Sequence, residues 1–216
     1  MASGFGPGLA KASQLSGAVT TITSLLATDI VIGEDAQTKI DFETANEIHF
    51  DADNAEIVKI DTNGLTISDE KSITLGDQGQ LIIGDDAPGT DHTATGVVIT
   101  MTALDGLAVG EAVYIDSNGK LDETDADAAG TMPAIGVALE ANSSGSDAEV
   151  KILLQGIFRD DTYNFTPGED LFIGTNLGEI TATAPSGTGD FVQKVGVALT
   201  ADTIYFNPSL DLIEHA

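Results

Sequence analysis

Two stretches of the chain gather hard oxygen donors at close spacing. Asp116-Ser-Asn118-Gly119 runs into Asp122-Glu-Thr-Asp125-Ala-Asp127, and Asp51-Ala-Asp53-Asn54 stands just ahead of Asp61-Thr-Asn63-Gly64. Carboxylate and amide oxygens at this density suit Ca²⁺, a hard cation that takes oxygen ligands. Asp116, Asn118, Asp122 and Asp125 are the calcium candidates. Neither stretch sets the Gly and Glu of an EF-hand loop at their required positions, and Asx turns use the same residues without a metal. No cofactor is therefore expected. A second chemistry needs two carboxyl groups flanking a glycosidic bond. Asp85-Asp86, Asp160-Asp161 and Glu169-Asp170 are the adjacent pairs, but 35 acids in 216 residues bring pairs together by chance.

Nucleophilic catalysis has no footing. There is no Cys, no Gly-x-Ser-x-Gly elbow and no His-Glu-x-x-His. His49 alternates with Ile48 and Phe50 as a residue on the polar face of a strand; His92 and His215 have no partner near them in sequence. The reading is a protein that is not an enzyme. Tyr114, Tyr163, Phe165, Tyr205 and Phe206 are the residues available to line a glycan site, with core or interface as their other use.

The elements that must carry these residues are strands. Leu107 to Glu140 recurs as Phe165 to Thr200: Gly110-Glu111 answers to Gly168-Glu169, Ile115 to Ile173, Leu121 to Ile180 and Gly136-Val-Ala-Leu139 to Gly196-Val-Ala-Leu199. A constant offset through several anchors marks one supersecondary unit used twice. Gly110, Gly119, Gly136, Gly168, Gly178 and Gly196 are its turn and close-approach positions. Asn118-Gly119 predicts a type I′ hairpin turn. Neither copy is large enough to bury a core by itself, so the two are expected to form one barrel or sandwich over residues 96–216.

Residues 29–84 carry a different regularity. Short runs of the form apolar–polar–apolar recur about every eight to ten residues, the period of strands with one buried face. The apolar positions are Ile30, Ile32, Ile40, Phe42, Ile48, Phe50, Ile60, Leu65, Ile67, Ile73 and Leu75, with Leu81-Ile-Ile83 as the last run. Such a ribbon leaves a greasy face and open edges. Copies of the chain meeting about a common axis, as in a β-prism or β-helix-like stalk, would cover both; a one-chain solenoid is the competing arrangement. Residues 85–95 read as a linker. Residues 1–28 contain one charged side chain, Lys11, and read as an arm that orders against neighbouring subunits or other proteins. The fold class expected is all-β throughout.

Charge bounds the partners. Thirty-five acids against 8 bases give −27 at pH 7. Phosphate contacts need clustered Lys and Arg, so nucleic acid and anionic membrane surfaces are poor partners. No apolar run is long enough for a membrane-spanning helix.

The segment from Thr131 to Ala216, with TMPAIGVALE, LLQGIFRDDTYNFTPGEDLFIGT, APSGTGDFVQKVGVAL and the ending IYFNPSLDLIEHA, resembles a domain found at the ends of bacteriophage virion proteins, chiefly tail-fibre-like and other surface structural proteins of marine phages. GEDAQTKIDFETANEIHF, Gly33 to Phe50, is similar to a segment common in such fibres. The resemblance implies a non-enzymatic homotrimer on the particle surface, joined to other virion proteins through its N-terminal arm. Fibres of this type are usually much longer. Short fibre, tail or baseplate appendage and capsid decoration therefore all stay open, as do a host-glycan-binding module and a prokaryotic cell-surface protein.

Overall fold

The structure, a computed structural model, describes residues 31–33, 37–42, 44–84 and 88–216. The N-terminal arm, Ile30 and the pair Asp85-Asp86 lie outside the described residues. No helix occurs among the described residues, and the protein is all-β as the strand periodicity requires. The chain divides into two compact units between Gln80 and Leu81.

In the first unit, β1 (Val31–Gly33), β2 (Lys39–Asp41), β3 (Ile48–Ala52), β4 (Ala55–Asp61) and β5 (Gly64–Ile67) form one antiparallel sheet in chain order. This is a meander. A β-helix stacks parallel coils, so the solenoid-like reading is corrected by the pairing. Register explains the alternation. Ile32 opposes Ile40, Ile40 opposes Phe50, Phe50 opposes Val58, and Val58 opposes Ile67, giving one apolar row across five strands. Ile48, Ile60 and Leu65 form a second row two residues along, on the same face. The opposite face carries Lys39, Asp41, His49, Lys59 and Asp61. The turn between β3 and β4 is the mirror-image type that the sequence had suggested elsewhere: Asp53 and Asn54 both take positive φ, 52° and 60°, between the paired Ala52 and Ala55. Residues 68–84 contain no strand, so Ile73-Thr-Leu75 and Leu81-Ile-Ile83 do not pair as expected.

The second unit holds β6 (Thr93–Ala103), β7 (Ala112–Ile115), β8 (Leu121–Glu123), β9 (Gly136–Ala138), β10 (Ala148–Arg159), β11 (Asp170–Ile173), β12 (Ile180–Thr181), β13 (Phe191–Val192), β14 (Lys194–Ala198), β15 (Thr203–Phe206) and β16 (Ile213–Glu214). β6 starts inside the stretch read as linker. The sheet runs β12-β11-β14-β15-β10-β6-β8-β7-β9, and β9 pairs back onto β10, so β10, β6, β8, β7 and β9 close a ring. β13 and β16 pair separately.

The duplication is visible bond by bond. The Gly110 amide donates to the Ala138 carbonyl at 2.9 Å, and Gly168 to Ala198 at 2.8 Å. Ala138 donates to Glu111 O at 2.8 Å, and Ala198 to Glu169 O at 3.0 Å. The Glu111 carboxylate accepts from the Ala108 amide at 2.6 Å, and that of Glu169 from Thr166 at 2.7 Å. Gly110 and Gly168 take nearly the same left-handed φ, 90° and 89°, where a Cβ would be strained. The copies share β10: its first half closes the first copy, and its second half pairs with β15 in the second.

The core follows from that sharing. One buried cluster contains Leu107, Val113, Leu121, Ala138 and Ile152; the other contains Ala112, Val137, Leu153, Phe158, Leu171 and Phe206. Alternate residues of β7, β9 and β10 serve different clusters. This explains why Gly136-Val-Ala is apolar without alternation: it is buried on both faces. Gln193 joins the copies. It is fully buried; its Nε2 donates to the carbonyls of Ala134 (2.9 Å) and Ser209 (2.5 Å), and its Oε1 accepts from the Ala134 amide (2.8 Å).

Candidate functional site

The calcium candidates are turn residues. Asp116 accepts from the amides of Asn118 and Lys120, both at 2.8 Å, and from the Asn118 side chain at 2.9 Å. These bonds, the Lys120 amide foremost, hold its carboxyl below the usual range. Asn118 is not left-handed. Gly119 alone is, at φ 79°, and its amide closes a turn onto Asp116 O at 3.0 Å while Asp116 N–H donates to Lys120 O. The hairpin is therefore a type I turn with a glycine bulge, which corrects the type I′ expectation. Asp125 caps the Asp127 amide, and Asp122 accepts from the Tyr114 hydroxyl at 3.5 Å. The four candidates are not brought together.

Among the described residues, one group offers three metal-ligating side chains with ligand atoms all within 4.8 Å: Asp91, His92 and Asp160. Asp160 is buried, and His92 and Asp91 are exposed. Local bonds account for the arrangement. Asp160 Oδ1 accepts from the amide and hydroxyl of Thr162, at 2.8 and 2.6 Å, and Asp160 Oδ2 lies 3.5 Å from His92 Nε2. Asp91 Oδ1 accepts from the Asp161 amide at 2.8 Å. The cluster clips the chain entering β6 to the end of β10.

Of the acid pairs read from the sequence, Asp160-Asp161 and Glu169-Asp170 are described, and each of these side chains has a local partner. Asp161 is held by Arg159 at 2.7 Å, Asp170 by Lys194 at 2.6 Å, and Glu169 caps its own turn. His49 bonds to Glu56 at 2.5 Å and Glu47 at 3.0 Å, which raises its pKa, Glu56 contributing most. It belongs to the charged face of the first sheet, beside the ion pairs of Lys59 with Asp61 and of Lys39 with the buried Asp41.

The aromatic residues separate as well. Phe206 is buried, Tyr114 is 8% exposed, and Tyr163 packs between Phe158 and Phe165 at ring distances of 6.3 and 4.8 Å. Burial pushes the Tyr163 hydroxyl up. Tyr205 alone turns outward from the group, with its hydroxyl accepting from Gln155 Nε2 at 2.9 Å.

One carboxyl is poised near neutrality. Burial, and then its hydrogen bond with Asp122, push Glu123 up to about 7. A carboxyl whose folded pKa exceeds its unfolded one adds stability below the unfolded value, and that stability fades as pH rises through the folded value. Glu123→Gln should leave the melting temperature unchanged at pH 4.5. It should raise it by about 2–4 °C at pH 8.5, for about 1 kcal/mol after discounting solvent screening. Equal shifts at both pH values in calorimetry would show that the ionised carboxylate costs nothing.

Of the residues assigned to the stalk core, Ile32, Ile40, Ile48, Phe50, Ile60, Leu65 and Ile67 share a face of the first sheet, and that face is open, whereas Ile73 and Leu75 lie in no strand. Ile32 is 55% exposed and Leu65 60%; Ile60, Ile73 and Leu75 are exposed too, while Ile40, Phe42, Ile48, Phe50 and Ile67 are half-buried. Among the described residues of the first unit, no apolar side chain reaches full burial. The strand read from Val97 to Met101 is present within β6, whereas sequence reasoning missed the buried role of Gln193. No protein-family model matches the chain, and no curated protein matches it either.

Proposed function

We propose that this protein is a structural component of a bacteriophage particle surface, a homotrimeric fibre- or spike-type appendage whose activity is assembly. The observation that carries the reading is the first sheet: an ordered five-stranded meander with one apolar face and no buried apolar residue of its own. Burying such a face contributes about 25 cal/mol per Å². The likeness of Gly33 to Phe50 and of Thr131 to Ala216 to virion proteins supplies the setting.

Sedimentation of the purified full chain tests this. Three chains of 22.2 kDa give 66.6 kDa. A single-chain mass at micromolar concentration would overturn the assembly reading. Immunogold labelling of particles then distinguishes a tail or fibre position from a capsid-decorating one.

A further inference from the structure

No strand covers the outer edge of β6 before Ala103, although the chain's own Ile83 borders a cavity with Thr95, Gly96 and Val97 and Gly84 stands against Thr95. β6 pairs with β10 along its whole length, but on its other side only Ala103 is paired, to Leu121 of β8. From Thr93 to Thr102 one row of backbone amides and carbonyls therefore has no strand beside it among the described residues. Natural edges are blunted by charge, proline or shortness. This one spans eleven residues, TATGVVITMTA, with no charge and no proline, in a chain with 43 formally charged Asp, Glu, Lys and Arg side chains (35 + 8). At its centre Val97, Val98 and Ile99 are 46%, 39% and 37% exposed, so consecutive residues on both faces meet solvent.

The same chain holds a segment with the complementary defect. Leu81, Ile82 and Ile83 are 70%, 81% and 44% exposed and pair with no strand among the described residues. From this juxtaposition the geometry points to strand exchange: the Leu81–Ile83 segment of a neighbouring copy adds to the free edge of β6. The inference rests on the homotrimer reading and names its contact. Threefold symmetry makes every contact heterologous, so β6 cannot meet β6 and must receive a different segment of the next chain. Electrostatics agree. Two copies at −27 repel except where uncharged surfaces meet, and both partners here are uncharged. Main-chain hydrogen bonds would supply the affinity, and the alternate apolar side chains the register.

The chain has no cysteine, so one engineered pair reports without interference. In the full chain, Ile82→Cys with Val98→Cys should oxidise to covalent dimers and trimers on a non-reducing gel. Mixed single variants should give disulfide-linked heterodimers. Val98→Lys should weaken self-association at least about tenfold with an unchanged circular dichroism spectrum. Oxidised product that stays at 22.2 kDa would mean that the segment covers its own β6, and the proposal falls. Trimers that sediment normally but neither cross-link nor respond to Val98→Lys overturn it while leaving the trimer intact. A wild-type chain that sediments alone removes both readings.

Discussion

Gln193→Leu should lower the melting temperature by about 10 °C, read by calorimetry at pH 7. Leucine fills similar space but offers no polar atom, so the Ala134 amide and the carbonyls of Ala134 and Ser209 would lose a partner inside the protein. A buried backbone group left unpaired costs about 1–3 kcal/mol, and three of them total about 4 kcal/mol after some rearrangement. For a chain of this size, about 2–4 °C accompanies each kcal/mol. The loss should be cooperative, because Ala134 lies in the first copy and Gln193 in the second. A drop under about 2 °C would show that the copies do not depend on this joint.

Gly156→Ala is the second large effect. Gly156 stands opposite Gly96 in the β10–β6 pair, beside the irregularity at Leu154. Its φ is 151°, and a Cβ there would overlap the carbonyl oxygen of Thr95 and approach Gly96 Cα at 2.7 Å. Backbone atoms cannot swing aside as a side-chain tip can, so the two longest strands would have to separate. The expected cost is about 3 kcal/mol, or about 6–12 °C. Gly145→Ala is the control. It also takes a left-handed φ, 77°, but has open space around it, and should cost only about 1 kcal/mol. Equal losses at the two positions would make conformation, and not crowding, the cause.

The all-β class, the repeat and the one-sided first sheet were legible in the sequence because each rests on local period. Ile40-Asp-Phe42 and Ile48-His-Phe50 alternate, and their sheet has one apolar face. Gly110-Glu111 and Gly168-Glu169 repeat, and so do their hydrogen bonds. What depended on distant partners was not legible. Ile73-Thr-Leu75 has the pattern of a strand but pairs with no strand among the described residues. Asn118-Gly119 has the composition of a type I′ turn, yet the Asp116 carboxylate selects another by capping Asn118 and Lys120. The actual mirror-image turn at Asp53-Asn54 has no glycine, so its residues mark a turn without marking its type. Gln193 reads as an ordinary polar residue until its partner, 59 positions away, is known.

The strand held in common by the two copies has one more implication. A repeat that lends its last strand to its successor can in principle be extended by simple tandem growth, each new unit needing only a long strand to start from. β10 meets that condition with twelve residues, whereas β15, its counterpart at the end of the second copy, has four. Four residues can complete a unit but cannot also found another. Lengthening that strand is thus the alteration that would let a further unit pair onto it.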